Sequence, residues 1–188
     1  MPVAHQFHGH AIVSDNDMIA DAAGQMPDAL MNPSDWGRFQ RELDKAVAVI
    51  IGRKGHMAHR NIHGRNRIVV SSTAHGIEKR DDAWWWNPAG ATLKEALAAA
   101  APRGGIVAVP GGRSVFDLFL EVGYDEFHLA RARGVKIENG TYLFSECASG
   151  RSAEEVLAGH GLVPTPADVL DGRAGVAVTV WRRQPVRI

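Results

Sequence analysis

Short apolar runs without alternation recur along the chain, and they constrain its fold more than any other feature. The clearest are KAVAVIIG (45–52), RIVVSS (67–72) and GGIVAVPGG (104–112). Such runs are typical of strands buried on both faces of a parallel sheet. Between them lie ATLKEALAAAA (91–101), made of strong helix formers, and RSVFDLFLEV (113–122), a helix that opens directly on glycines. Alternating strands and helices predict an α/β fold in three layers, with helices on both faces of a mostly parallel sheet.

Further strands and a terminal hairpin complete this prediction. The predicted strands are HAIVS (10–14), DAWWWN (82–87) and DEFHLARA (125–132), and EEVLAGHG (154–161) is a short helix or turn. LVPTPADVL (162–170) and GVAVTVWRR (175–183) predict a C-terminal antiparallel hairpin, because Asp171 and Gly172 between them supply turn chemistry.

A long loop and a helix follow the first predicted strand. DNDMIADAAGQMPDALMN (15–32) has no clear periodicity, and loops of this length in a compact domain are usually functional. A helix is predicted from Pro33, and its apolar face consists of Trp36, Phe39 and Leu43.

Asp35 stands at the start of that helix, where two roles compete. Capping is the ordinary role of an aspartate at this place. Ser34 beside it is equally able to cap the helix, which would leave Asp35 free to point inward.

The composition of the chain excludes several classes of protein. Its 188 residues and 20.3 kDa fit one domain, predicted to span residues 1–188. With 21 basic and 21 acidic side chains, bulk attraction to nucleic acid or anionic lipid is disfavoured, and no apolar stretch approaches the ~20 residues of a membrane helix. The single Cys147 excludes an intrachain disulfide framework, and the start MPVAHQFHGH lacks the features of a secretory signal. We therefore expect a soluble cytoplasmic protein without nucleic-acid or membrane partners, either a monomer or a homodimer.

Groups that bind phosphate follow three of the predicted strands. They are GRKG (52–55), SST (71–73) and PGGRS (110–114). In open parallel sheets, ligands bind beyond the carboxyl ends of the strands, so these segments predict a nucleotide site. Neither G-x-x-x-x-G-K-[ST] nor an early G-x-G-x-x-G is present, which excludes a P-loop and an ordinary Rossmann site. A dinucleotide bound by a different arrangement remains.

The histidines form no complete metal motif in the sequence. His5, His8 and His10 lie near the start, and His56 and His59 have a spacing that can place two ligands on one helical face. No third ligand follows at a fitting spacing, so we predict no metal site.

The order of these motifs resembles that of the dihydrofolate reductase family. The resemblance runs from about His10 to Phe144 and includes Met26-Pro27 in a long loop, PSDWGRF opening a helix, VIIGRK on a strand, HGRNRIVVSS, VPGGRSVFDLFL and DEFHLARA…NGTYLF. It implies a dihydrofolate reductase-like fold and the NADPH-dependent reduction of a dihydropterin, most simply 7,8-dihydrofolate to tetrahydrofolate. The loop 15–32 would then act as a lid.

The resemblance also implies a set of site residues. Asp35 matches the family's single acidic pterin-binding residue, which holds the 2-amino group and ring N3 and favours protonation at N5. The implied substrate contacts are Phe39, Ile62, Arg65 and Met31, with Arg65 pairing with the carboxylate of the folate tail. The implied cofactor contacts are Ile12, Ile19, Gly52, Arg53, Lys54, Gly55, Ser71, Ser72, Gly111, Gly112, Arg113, Ser114 and Val115. Among these, Arg53 and Ser72 match the pocket for the adenosine 2′-phosphate, which implies NADPH as the cofactor.

Two alternatives remain open. A riboflavin-pathway-type pyrimidine reductase shares the fold and the NADPH loops but lacks the acidic residue in PSDWGRF, so Asp35 favours the pterin. A nucleotide-binding module of the same fold without turnover is favoured by three departures from the family's pattern, at Gly55, Asp28 and Ala130.

Overall fold

The computed structural model describes residues 3–184, which form a ten-stranded sheet with helices on both faces. The strands are β1 (His5–Ser14), β2 (Met18–Ala20), β3 (Ala48–Gly52), β4 (Arg67–Val70), β5 (Ile77–Arg80), β6 (Ala83–Trp86), β7 (Gly105–Gly111), β8 (Glu126–Ala132), β9 (Thr141–Tyr142), β10 (Leu162–Pro164), β11 (Asp168–Asp171) and β12 (Val176–Arg183). The helices are α1 (Pro33–Lys45), α2 (Arg53–Ala58), α3 (Leu93–Ala100), α4 (Arg113–Val122) and α5 (Ala153–Gly159). Short 3-10 helices cover Asp28–Leu30 and Ser145–Ser149.

Most neighbouring strands of the large sheet run in parallel. Strands β8, β1, β7, β3, β4 and β6 pair in parallel in that order. Antiparallel strands occupy both ends, because β12 joins β8 and β5 joins β6. Strands β10 and β11 both pair antiparallel with β12, while β2 and β9 form a separate two-stranded sheet. The predicted α/β class, the mostly parallel sheet and the C-terminal antiparallel hairpin are confirmed.

The two faces of the sheet are covered by different helices. On one face, Val13 and Phe127 belong to the large core that includes Phe119 of α4 together with residues of α3 and α5. On the other face, Leu43 of α1 packs against Ala108 of β7. Since side chains of a strand alternate between faces, each strand contributes to both layers. Among residues 3–184, no helix is both long and apolar enough to span a membrane.

Four elements differ from the sequence prediction. Strand β1 begins at His5 instead of His10, because residues 5–9 pair with β7 as well. GRKG is the start of a helix, not a loop, since α2 begins at Arg53 directly after β3. The segment 15–32 contains β2 and a 3-10 helix. Ile77–Arg80 forms the edge strand β5 although it has no apolar run, because backbone pairing with β6 holds it.

Candidate active site

The carboxyl ends of β7, β3 and β4 bring the three polar strand-end segments to one edge of the sheet. Ile51 of β3 lies opposite Gly111 of β7, and Gly52 lies opposite the last residue of β4. A Cβ atom placed on Gly52 would be 3.6 Å from the backbone nitrogen of Gly112. The three segments therefore adjoin.

The start of α4 presents backbone N–H groups to an open space. Gly111 has a φ of +112°, and a Cβ atom there would lie 2.6 Å from the ring of Phe116, so only glycine suits this position. The peptide bond between Gly111 and Gly112 is cis. Gly112 caps the helix without a side-chain hydrogen bond, and within the described residues nothing lies within 4 Å of a Cβ placed on it. The first-turn N–H groups of Arg113 and Ser114 are thus available to an anion.

Cationic side chains stand at the same edge. Arg53 and Lys54 in the first turn of α2, and Arg113 in the first turn of α4, are exposed. Within residues 3–184 none of the three forms an ion pair. Their charges are therefore free to meet phosphate groups, which they suit chemically.

The other residues implied for the cofactor also have packing roles. Ser71 is buried, and its hydroxyl lies 2.9 Å from the hydroxyl of Thr73 and accepts the Thr73 N–H, so it stabilises the turn after β4. Ser72 beside it is exposed. Val115 is buried against the end of β3, and Gly55 is half-buried against the same strand.

The segment implied as a lid is anchored at both ends. Ile12 is buried in β1, and Ile19 lies half-buried in β2, which pairs with β9. Asp17 accepts a hydrogen bond of 2.6 Å from Arg131, which ties the start of the segment to β8. At the other end, Leu30 is buried in the same small apolar cluster as Ile12. Between these anchors, residues 21–27 are mostly exposed.

The helix that carries Asp35 is capped by Asn32. The Asn32 side-chain oxygen accepts the backbone N–H groups of Ser34 and Asp35 at 3.0 and 3.1 Å. Asn32 is in turn held by Asp171 of β11, whose carboxylate accepts its amide N–H at 2.9 Å. Neither Ser34 nor Asp35 is the cap, because Pro33 takes the first helical position and places Asn32 at the cap. Asp35 is not needed as a cap.

The Asp35 carboxyl is half-buried, and no hydrogen bond or ion pair to it is formed within residues 3–184. Burial raises its pKa from 3.8 to about 6, and the nearby positive charge of Arg38 lowers it by a smaller amount. A carboxyl with such a pKa exchanges its proton near neutral pH. This is the property expected of a group that assists proton transfer.

Phe39 lies four residues after Asp35 on the same helical face, and two histidine rings of the sheet lie beside it. The ring of His10 lies 5.9 Å from the ring of Phe39 and 4.4 Å from the ring of His128. His10 is 5% exposed, and burial lowers its pKa well below the usual value, so it is neutral. Among the described residues His10 has no hydrogen-bond partner, whereas the backbone on either side is paired in the sheet.

His128 belongs to a hydrogen-bonded network that also includes Arg38, Glu126 and Arg182. Arg38 donates to His128 Nδ1 at 2.9 Å, and His128 Nε2 lies 3.2 Å from Glu126. Glu126 also accepts from Arg182 at 2.9 Å. Because a guanidinium can only donate, Nδ1 of His128 is the acceptor and Nε2 carries the proton to Glu126. The sequence prediction missed this network, although the alternation HGH in β1 and the FHL of β8 place these histidines on one face of two paired strands.

Three residues in or beside this hydrogen-bonded network could in principle bind a metal, but their polar atoms already contact other groups of the protein. Ligand atoms of His8, Glu126 and His128 lie within 4.8 Å of one another. However, the Nε2 proton of His128 blocks coordination there, and the guanidinium groups of Arg38 and Arg182 add positive charge on both sides. The contacts thus favour a hydrogen-bonded network over a cation site.

The residues implied for the rest of the substrate are dispersed. Met31 is 60% exposed and Ile62 is 79% exposed. Arg65 lies in the loop between α2 and β4, and its guanidinium contacts Gln40 and Asp44 of α1. The structure therefore brings Asp35 and Phe39 together on one helical face but leaves the implied tail contacts without a common pocket.

Comparisons with known proteins identify the fold. No protein-family model matches the chain, and no curated protein sequence matches it. Among solved structures, a dihydrofolate reductase from Enterococcus faecalis complexed with NADP(H) and RAB-propyl superposes with a TM-score of 0.69 at 15% identity, covering 98% of this chain and 100% of that chain. A protein described as a riboflavin biosynthesis protein from Shewanella sp. PV-4 superposes with a TM-score of 0.67 at 18% identity, covering 96% of this chain and 99% of that chain. The chain has the dihydrofolate reductase-like fold, as predicted.

Proposed function

We propose that this protein is an NADPH-dependent reductase of a dihydropterin. The observation that carries the proposal is Asp35, a half-buried carboxyl that is released from capping and has a pKa of about 6. It lies on the same helical face as Phe39, whose ring is suited to pack against a flat heterocycle. The likeness to a dihydrofolate reductase complexed with NADP(H) supports the cofactor assignment.

The edge formed by β3, β4 and β7 has the groups that NADPH requires. Arg53, Lys54 and Ser72 would bind the adenosine 2′-phosphate, because all three are exposed there. The open backbone at Gly112 and the first turn of α4 would bind the pyrophosphate. When bound, NADPH supplies the hydride that reduces C6 of the pterin.

Asp35 has two tasks in the proposed reaction. Its carboxyl accepts hydrogen bonds from the 2-amino group and ring N3 of the pterin, which fixes the orientation of the ring. Its raised pKa also keeps a proton available near neutral pH, and this proton passes toward N5 as the hydride reaches C6. The segment 15–32 would exclude water from the reacting atoms.

The proposal is tested by following the loss of NADPH absorbance with three substrates in parallel. We expect oxidation with a 7,8-dihydropterin and with 7,8-dihydrofolate, and none with a ribosylamino-pyrimidinone. Oxidation with the pyrimidine alone would favour the pyrimidine reductase, and no oxidation with any substrate would favour a binding module.

The role of Asp35 is tested separately with Asp35→Asn. The variant should lose most of its hydride-transfer rate at neutral pH and retain NADPH binding, because the cofactor groups lie on other elements. Above about pH 6 the wild-type rate should fall by about tenfold per pH unit, whereas the rate of the variant should not follow this profile. Glu121→Gln, at an exposed carboxyl near the end of α4, is the matched control. Equal losses of hydride transfer and NADPH binding would contradict the assignment.

A further inference from the structure

The guanidinium of Arg65 is enclosed by groups of the protein itself. Its Nε and Nη2 donate to one carboxylate oxygen of Asp44 at 3.2 and 2.6 Å. Its Nη1 donates to the side-chain oxygen of Gln40 at 2.7 Å, and Nη2 donates to the backbone oxygen of Gln40 at 3.3 Å. The Arg65 side chain is 15% exposed.

These contacts use both edges with which an arginine can bind a carboxylate. Bidentate recognition needs two parallel N–H groups on neighbouring nitrogens of the guanidinium. The edge formed by Nε and Nη2 is taken by Asp44, and the edge formed by Nη1 and Nη2 is taken by Gln40. A substrate carboxylate would have to displace one of these partners.

The backbone of Arg65 is fixed as well. The Asn61 side chain accepts the Arg65 N–H at 3.0 Å and donates to the Arg65 oxygen at 2.7 Å. Because both main-chain groups are held, a backbone movement that turns the guanidinium away from α1 would break two further hydrogen bonds.

The local charge also disfavours an anionic ligand. The Asp44 carboxylate is 65% exposed and pairs with Arg65, so the pair presents a negative group to solvent and has no net charge. An incoming carboxylate would meet this negative charge before it reached the arginine. Ile62, the other residue implied for a tail contact, is 79% exposed.

From these contacts we infer that the substrate is a reduced pterin without an anionic tail, and that Arg65 is a structural residue that joins the loop after α2 to α1. The inference rests on the proposed function, since it concerns the substituent of the same ring that Asp35 binds. It assigns the substrate class as a dihydropterin whose substituent at C6 has no carboxylate.

The inference is tested by comparing kcat/KM for two dihydropterins that differ in the tail. One is 7,8-dihydrofolate, which has the glutamate tail, and the other is a 7,8-dihydropterin with a short neutral substituent at C6. We expect kcat/KM for the tail-less substrate to be at least one third of that for dihydrofolate. A preference for dihydrofolate larger than about threefold would overturn the inference.

A variant in which Arg65 loses its contact with Asp44 provides a second test of the inference. Asp44→Ala removes the competing carboxylate and leaves one edge of the Arg65 guanidinium without a partner. We therefore expect kcat/KM for dihydrofolate to rise severalfold while that for the tail-less pterin changes little. Glu121→Gln is again the matched control. A fall in kcat/KM for dihydrofolate in Asp44→Ala would contradict the inference.

The outcomes separate the two proposals. Oxidation of NADPH with both pterins and a strong preference for the tail refutes only the inference about Arg65. No oxidation with either pterin refutes the proposed function, and the inference fails with it.

Discussion

Neutralising Asp35 should make the protein more stable, and the gain should depend on pH. Burial raises the pKa of the Asp35 carboxyl from 3.8 to about 6. A difference of about 2 pKa units corresponds to about 3 kcal/mol, at 1.36 kcal/mol per unit. Since the side chain is half-buried and partly screened by water, we expect about 2 kcal/mol.

The sign of this pH dependence follows from the number of protons that the folded and unfolded states bind. Between about pH 4 and pH 6 the folded protein holds the Asp35 proton while the unfolded chain has lost it, so the folded state binds more protons. The contribution of Asp35 to the free energy of unfolding is therefore complete below about pH 4 and is lost as the pH rises through about 6. Asp35→Asn has no carboxyl at this position. Its free energy of unfolding should therefore equal that of the wild type at about pH 4 and exceed it by the full amount above about pH 7.

Urea unfolding of the wild type and Asp35→Asn, at pH values from about 4 to 8, measures this difference. The two proteins share every other titrating group, so the difference between their free energies of unfolding isolates Asp35. Glu121→Gln, whose carboxyl is exposed, should stay within about 0.5 kcal/mol of the wild type throughout. If the free energy of unfolding of Asp35→Asn exceeds that of the wild type equally at all pH values, or does not exceed it above pH 7, the Asp35 carboxyl is not desolvated in the folded protein.

Three further predictions concern the proposed NADPH-binding edge of the sheet and the hydrogen bonds of His128. Arg53→Ala should weaken NADPH binding by tenfold or more in fluorescence titrations and NADH binding much less, because it removes a charge expected at the 2′-phosphate; equal weakening of both would count against that role. Gly111→Ala should lower the free energy of unfolding by about 1–3 kcal/mol and impair NADPH binding, because Gly111 has a φ of +112° and a Cβ atom there would lie 2.6 Å from the ring of Phe116; an unchanged thermal midpoint would contradict the close contact. His128→Leu should lower the free energy of unfolding by about 1–3 kcal/mol, because Arg38 and Glu126 lose their hydrogen bonds to the imidazole; an unchanged midpoint in urea unfolding would contradict this role.

The strands of the parallel sheet were predictable because local pattern and tertiary environment agree. KAVAVIIG and GGIVAVPGG are apolar throughout, and the structure buries β3 and β7 at the centre of the sheet. Strand β5 could not be predicted in the same way. Its sequence IEKR has no apolar run, and it is a strand because its backbone pairs with β6.

The helix that carries Asp35 illustrates the difference between locating a residue and knowing its contacts. Its start at Pro33 was predicted from the sequence and is observed. Asn32 is the cap because Pro33 takes the first helical position, and Asp171, more than a hundred residues away in the chain, accepts a hydrogen bond from the Asn32 amide. The sequence located the helix, but the contact between Asn32 and Asp171 comes from the tertiary structure.

The class of fold and the polar segments at the strand ends could be predicted from the sequence, because they depend on residue patterns within short segments. Asp35 and Phe39 became candidates through the resemblance to a known family. Which of the candidates have free polar groups depends on contacts that form only in the folded protein. Arg65 resembles a residue that binds a carboxylate, yet Gln40 and Asp44 occupy both edges of its guanidinium. His10 was not a candidate in the pterin prediction, yet the pairing of β1 with β8 places its ring beside Phe39. Hydrogen-bond partners come from distant parts of the chain, so the pattern around a residue cannot reveal whether its polar atoms remain available to a ligand.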